Sequence, residues 1–331
     1  MSSQPIEPEL VSPLVKPSQD ERQLIQLKDK VLTFLNRSTS DNTREAYRRA
    51  ILEFHRFVGR HLLTVTEREV LAWRDSLLHH GQSNQTVAAK LSTVRSLYAY
   101  LGKVYPNLLT VNPADAQLVP PPKIQNALKG RALTPKEVRH LLVGPDRDTP
   151  EGARDYALML LMLRLSLRVS EVGSVRRSSI EWKDGRWTLT LKVKGGAEEV
   201  WPLPPDVKQA IDRYLKLDEG RRSVWLENRT EDQYVFQPTE NNRTGVHNRG
   251  LTRQMIARIL RKWADFCGIK GKVTPHDLRR TAITRALNQG RTYREVQMMS
   301  KHKDPKTVMR YDYGRESMEQ NAVNFLGYDE E

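Results

Sequence analysis

Three consecutive prolines divide this chain. Val119-Pro120-Pro121-Pro122-Lys123 cannot continue a helix, because each ring removes a backbone donor and crowds the preceding turn. The same residues lack the donors that a central strand needs. What precedes them must therefore bury a core of its own. Four stretches there carry apolar residues three and four positions apart, the period of an amphipathic helix. The first holds Leu24, Leu27, Val31, Leu32 and Leu35. The second follows Asp41-Asn42 and holds Tyr47, Ala50, Ile51, Phe54 and Val58. The third opens on Thr66 and Glu69, a capping box, and continues through Val70, Trp73 and Leu77 to Gly81. The fourth, from Ser83 to Gly102, holds Val87, Leu91, Val94, Tyr98 and Leu101. Short loops between them predict a four-helix bundle closing near Asn112-Pro113. Residues 1–19, rich in Pro, Ser and acids, read as a disordered leader, 20–118 as a helical domain and 119–130 as a linker.

Beyond the linker, residues 131–331 read as mainly helical with one small β-hairpin. Thr134-Pro135-Lys136-Glu137 offers an N-cap, a proline for the first helical position and a capping-box glutamate. Asp155 to Leu167 is nearly all apolar and predicts a buried helix. Trp187 to Val193 alternates large apolar residues with Thr and Lys, which is strand periodicity. Lys194-Gly195-Gly196 is a turn signal, and Glu198 to Leu203 returns as the second strand. Helical patterns fill Asp206 to Leu217 and Thr252 to Cys267.

The charge balance narrows the partner. Lys and Arg outnumber Asp and Glu by 54 to 40, a formal net charge of +14, which suits a polyanion such as nucleic acid. The single cysteine, Cys267, excludes an internal disulfide framework and a cysteine metal cluster. No carboxylate cluster of the two-metal type and no P-loop stand out, so neither a metal, a cofactor nor ATP is expected. The longest apolar run, Tyr156 to Leu163, is too short to span a bilayer, and the first twenty residues are unlike a signal peptide. A cytoplasmic, nucleoid-associated protein is expected.

Four segments could carry chemistry. In Thr274-Pro275-His276-Asp277-Leu278-Arg279, Thr274 caps a helix whose first turn places His276 and Arg279 three residues apart on one face. Free N–H groups and the positive dipole end favour an anion there, so this is either a phosphate site or an ordinary capped helix. Arg168 follows the buried helix and either pairs with Glu171 or projects into a site. Lys194 at the hairpin turn is either a surface lysine or a proton donor to a leaving oxygen. In Asp304-Pro305-Lys306-Thr307-Val308-Met309-Arg310-Tyr311, a capped short helix carries a tyrosine. A phenol is a poor nucleophile unless cations stabilise its developing oxyanion, so Tyr311 is either packing or a cation-assisted nucleophile.

Taken in order, these segments resemble the tyrosine recombinase (phage integrase) family, of the simple two-domain kind. Arg168 lies in Arg-Val-Ser-Glu, Lys194 precedes Gly195 in the hairpin, His276-Asp277-Leu278-Arg279 matches a His-x-x-Arg box, and His302 lies nine residues before Tyr311. The N-terminal helices resemble the family's core-binding domain, so the resemblance covers most of the chain. It departs at Ser300-Lys301-His302, where the family usually has Leu-Gly-His, and at Tyr313, where a histidine is often found. Tyr313 is therefore a rival nucleophile, although the spacing from His302 favours Tyr311.

The resemblance implies a site-specific recombinase acting through a 3′-phosphotyrosine intermediate and a Holliday junction. Arg168 and Arg279 would hold the non-bridging phosphate oxygens, His276 and His302 would donate to them or position the phenol, and Lys194 would protonate the 5′ oxygen. Glu171 would support Arg168. Arg44, Arg48, Arg49, Lys90 and Arg95 are candidate DNA contacts on the second and fourth helices, each otherwise a solvated face. The expected partner is double-stranded DNA with paired sites. An apolar stripe of Met318, Ala322, Phe325 and Leu326 predicts a C-terminal helix over about 315–327. The resemblance implies that it docks on a neighbouring subunit of a homotetramer; docking on its own domain is the alternative. A type IB topoisomerase or telomere resolvase would share the chemistry, and a non-catalytic DNA-binding protein would keep the charge without it.

Overall fold

The computed structural model describes residues 19–124, 130–193, 196–225, 232–238, 248–312 and 322–325. Residues 1–18 of the expected leader, Lys194, Tyr313 and all but 322–325 of the expected C-terminal helix lie outside the described residues. Residues 322–325 form a short 3-10 turn. The chain is mainly α-helical with one three-stranded antiparallel sheet, and it divides into two compact units, Met1–Asn126 and Ala127–Glu331.

The first unit contains α1 (Gln19–Asn36), α2 (Asp41–Val58), α3 (Glu67–His79) and α4 (Asn84–Val104). The apolar periodicity is what buries their inner faces. Phe54, Trp73 and Tyr98 meet at its centre: the Phe54 ring lies edge-on to Trp73 at 4.9 Å and to Tyr98 at 6.2 Å. The Tyr98 hydroxyl donates to the Leu62 carbonyl at 2.9 Å, so its polar tip is satisfied inside the core. The capping box holds the start of α3, where the Glu69 carboxylate accepts from the Thr66 N–H at 2.9 Å. The proline segment is not a free spacer along its described length. Val119 is fully buried in this unit, Arg74 donates to the Pro120 carbonyl, and Asn84 donates to the Lys123 carbonyl.

The second unit contains α5 (Pro135–Val143), α6 (Pro150–Leu165), α7 (Val169–Gly173), β1 (Ile180–Lys183), β2 (Arg186–Lys192), β3 (Glu198–Pro202), α8 (Pro205–Trp225), α9 (Arg253–Phe266), α10 (Pro275–Asn288), α11 (Tyr293–Ser300) and α12 (Pro305–Met309). Helix α6 is the hub: Leu158, Met159, Leu161 and Met162 are all fully buried, among residues of α8, α9, α10 and the sheet. It starts earlier than the apolar run suggests, because the Thr149 hydroxyl caps Gly152 N–H and Pro150 opens the helix. The sheet pairs Leu189 with Trp201 between β2 and β3, as the alternation predicts. Strand β1 is an addition. Its residues are mostly exposed, so no alternation marks it, and it joins β2 through Asp184-Gly185, both at positive φ (51° and 73°) as a type I′ turn requires.

Candidate active site

Two helix ends and one turn bring the sequence candidates together. Helix α6 stops at Ser166, a buried residue in the left-handed region (φ 51°), and the chain turns so that Arg168 caps α7. Buried Glu171 fixes that cap. Its carboxylate accepts from the Arg168 N–H at 2.6 Å and from its guanidinium at 2.8 Å. Of the two readings of Arg168, pairing with Glu171 is therefore realised, yet the arginine side chain remains 36% exposed and available beyond its partner.

At the start of α10 the Asp277 carboxylate accepts from Thr274 N–H at 2.9 Å, and its own N–H reaches the Thr274 hydroxyl. This places His276 at the exposed first turn and turns Arg279 inward, where it is 3% exposed. The Arg279 guanidinium donates to the Ser166 carbonyl and, at 2.6 Å, to the Ser300 carbonyl. Its Nη2 also lies 3.1 Å from Nε2 of His302. The other ring nitrogen of His302, Nδ1, is 2.8 Å from the Ser300 hydroxyl. With Arg279 as obligate donor, Nε2 accepts and Nδ1–H donates to Ser300.

Tyr311 completes the cluster. It lies just past α12, which Asp304 caps by accepting from the Lys306 N–H at 2.9 Å. Its ring is 5.9 Å from that of His302, 28° from parallel, and it packs with Ile283, Val296 and Val308. Tyr311 is thus packed in a small apolar cluster and stands beside His302. No hydrogen bond holds its hydroxyl among the described residues.

The electrostatics are those of a strongly cationic site. Burial and then Arg279, Arg168 and His276 push His302 down to about 4, so it is neutral near pH 7. His276 is also lowered, first by burial and next by Arg279. Burial and the Arg168 charge lower Arg279 to about 10, still well protonated at neutral pH. Among the described residues of this group, Glu171 is the carboxylate that pairs with a guanidinium. A phosphate diester entering here would meet two guanidiniums and two imidazoles, with a phenol stacked on one of them. Among the described residues no set of three His, Cys, Asp or Glu could hold a metal ion.

The chain has relatives among known proteins. The model of the phage integrase family matches residues 131–317, and that of the phage integrase N-terminal SAM-like domain matches residues 32–103. The chain belongs to the phage integrase family. Similar members include the tyrosine recombinase XerD of Neisseria meningitidis serogroup B, 29% identical over 85% of this chain and 90% of the relative. The tyrosine recombinase XerC of Thermodesulfovibrio yellowstonii is 27% identical over 84% of this chain and 88% of the relative. The fold matches that of XerH recombinase in a post-cleavage complex with palindromic difH substrate (TM-score 0.66, 16% identity, covering 90% of this chain and 88% of that one). It also matches a lambda integrase dimer bound to a COC′ core site (TM-score 0.64, 17% identity, covering 89% and 96%).

For this phage integrase, the structure therefore brings Arg168, Glu171, His276, Arg279, His302 and Tyr311 into one neighbourhood. Sequence reasoning missed Ser300, which uses both its carbonyl and its hydroxyl; its place two residues before His302 was the available signal. It also missed the Ser166 carbonyl, which no side-chain pattern could reveal.

The candidate DNA contacts of the first unit fare differently from one another. Arg48 and Arg49 are exposed on α2 and share the Glu45 carboxylate. Arg44 pairs with Asp41. Lys90 pairs with Glu53, and only 20% of its side chain is exposed. Arg95 points to a bracing role: its guanidinium donates to the carbonyls of Ala114 (2.7 Å) and Val119 (3.2 Å) and so holds the segment after α4 in place.

Proposed function

We propose that this chain is a site-specific DNA recombinase whose nucleophile is Tyr311. The observation that carries the reading is the stack of Tyr311 on His302, whose ring is bonded to Arg279. In the proposed reaction the Tyr311 hydroxyl passes its proton to the neutral imidazole of His276 and its oxygen attacks the scissile phosphorus. The bond from phosphorus to the 5′ oxygen breaks, Lys194 protonates that oxygen, and the 3′ phosphate stays on the tyrosine. The incoming 5′ hydroxyl of a partner strand reverses the step, so the bond energy is conserved without ATP. Arg168 and Arg279 hold the two non-bridging oxygens, which gain charge in the transition state. His276 completes that shell, His302 positions the phenol that stacks on it, and Glu171 keeps Arg168 in place.

The substrate is double-stranded DNA with paired sites, bound by both residues 20–118 and residues 131–331. Four copies act together on a Holliday junction, each passing its C-terminal segment (about 315–327) to a neighbour. The protein works in the cytoplasm on the nucleoid. The relatives' names and the DNA-bound recombinases of similar fold support this reading.

Incubation with a randomised pool of nicked duplexes tests it, scored for a protein–DNA adduct that survives denaturation. Wild type and Tyr313→Phe should trap DNA, and Tyr311→Phe should not. Trapping by Tyr311→Phe but not Tyr313→Phe would move the nucleophile to Tyr313. Failure of the wild type would leave only a basic DNA-binding protein. Deleting the residues after Gly314 should abolish pairing of sites and spare binding to one site.

A further inference from the structure

Lys301 occupies a backbone conformation that lysine rarely adopts. It ends α11 in the left-handed region, with φ 52° and ψ 40°. Glycine or asparagine normally fills such a helix end, because a Cβ there crowds the adjacent carbonyl. A strained residue persists only where its surroundings hold it. The side chain shows what holds this one. Its ammonium lies 3.0 Å from Glu199 Oε2 and 5.3 Å from the centre of the Trp201 ring. Glu199 and Trp201 share one face of β3, two residues apart. Trp201 is 2% exposed, and its indole N–H donates at 2.8 Å to the carbonyl of Met299. The sheet therefore grips the chain at two points, the Met299 carbonyl and the Lys301 ammonium.

Between and beside those points lie the groups that shape the site. The Ser300 carbonyl accepts from Arg279, the Ser300 hydroxyl bonds His302 Nδ1, and His302 follows Lys301 directly. Gln297 holds the far side, its amide donating to the His302 carbonyl at 2.8 Å. A glycine at 301 would satisfy the backbone alone and leave this turn without its tie to β3.

We propose that Lys301 is a positioning residue, which fixes the Ser300–His302 turn to β3 through Glu199 and Trp201 and thereby sets the placement of His302 against Arg279. It touches neither phosphate nor nucleophile in this role. The inference rests on the proposed use of Arg279 in holding phosphate and of His302 in positioning Tyr311. A displacement of about 1 Å in such a group can lower a rate roughly a hundredfold, so loss of one of two anchors is expected to cost on the order of tenfold.

The test uses the full chain, single-turnover cleavage of a nicked duplex recovered from the randomised pool, and the titration of His302 followed by NMR in the protein alone. Lys301→Gly relieves the backbone and cuts the tie. Its melting temperature should stay near that of wild type while cleavage slows and the His302 midpoint moves toward that of an ordinary histidine. Lys301→Arg keeps the reach to Glu199 and Trp201 and should restore both readouts. Glu199→Ala cuts the tie from the other side with Lys301 intact, and should slow cleavage and shift the same midpoint even if the glycine variant does not fold. Wild-type cleavage and an unmoved midpoint in Glu199→Ala, or in a folded Lys301→Gly, overturn the proposal. His302→Ala separates this outcome from the underlying reading. Full cleavage by that variant would remove His302 from the chemistry, whereas the midpoint in Lys301→Gly would still report whether Lys301 positions the ring.

Discussion

Nη2 of Arg279 and Nε2 of His302 meet at 3.1 Å, a guanidinium donating to a neutral imidazole. A protonated ring could not accept that bond, and it would face Arg168 and His276 as well. Folding pulls His302 from 6.5 to about 4, so between those values the unfolded chain binds more protons than the folded one. The stabilisation from this group is intact above pH 6.5 and is lost as the pH falls toward 4. His276, lowered in the same direction, adds to the trend. Denaturant midpoints measured from pH 7 down to 4.5 should fall for wild type and fall less steeply for His302→Gln. Parallel curves would show that His302 is not held neutral by the fold.

Arg279 should not tolerate lysine. Its planar fork serves the Ser166 and Ser300 carbonyls and His302 at once, and a single ammonium cannot span those directions. Arg279→Lys keeps the charge but leaves at least one buried acceptor unpaired, a cost of about 1–3 kcal/mol. Loss of a donor aimed at a transition-state oxygen lowers rates by roughly 10²–10³. Thermal denaturation and single-turnover cleavage, run on the same preparation, should both register the change. A variant with normal stability and rate would mean that charge alone suffices.

The pairing of Arg168 with Glu171 is expected to be energetically coupled but modest, because the arginine side chain is 36% exposed while the carboxylate is buried. A double-mutant cycle with Arg168→Ala and Glu171→Gln should give a coupling near the lower end of the range for contacting residues, about 1 kcal/mol. Glu171→Gln should also slow cleavage, since Arg168 would lose its backbone-anchored partner. Strict additivity in the stability cycle would argue that the cap holds α7 without help from the guanidinium.

Much of this was legible in advance where a local rule dominates. The capping boxes of α3 and α5 are written as Thr66…Glu69 and Thr134…Glu137, and each folds as its spacing dictates, while at α10 the sequence marks the Thr274 cap but not the box that Asp277 closes. Strand β1 was not legible, because an exposed edge strand has no buried face to impose alternation. Nor was the placement of Arg279, since its partners are carbonyls exposed by a left-handed helix end at Ser166 and a turn at Lys301. Side-chain patterns report which residues are buried; they say little about which backbone groups a long side chain will find there.

Arg48 and Arg95 make the sharpest contrast for the final prediction. Both are arginines on helices of the first unit, and composition cannot tell them apart. Arg48 is exposed and shares Glu45 with Arg49. A duplex phosphate could replace that carboxylate, releasing a counterion as it binds. Arg48→Ala should then weaken binding to any duplex and reduce the slope of log affinity against log salt by about 1. Arg95 is committed to the carbonyls of Ala114 and Val119, and Asn112 donates back to its own carbonyl at 3.0 Å. Arg95→Ala should leave the salt slope unchanged and instead lower stability by roughly 1–3 kcal/mol through two unpaired acceptors. Equilibrium binding at several salt concentrations, paired with denaturation of both variants, separates the roles. If Arg95→Ala flattened the slope with no loss of stability, its guanidinium would have to leave those carbonyls for DNA, and the segment after α4 would need another brace.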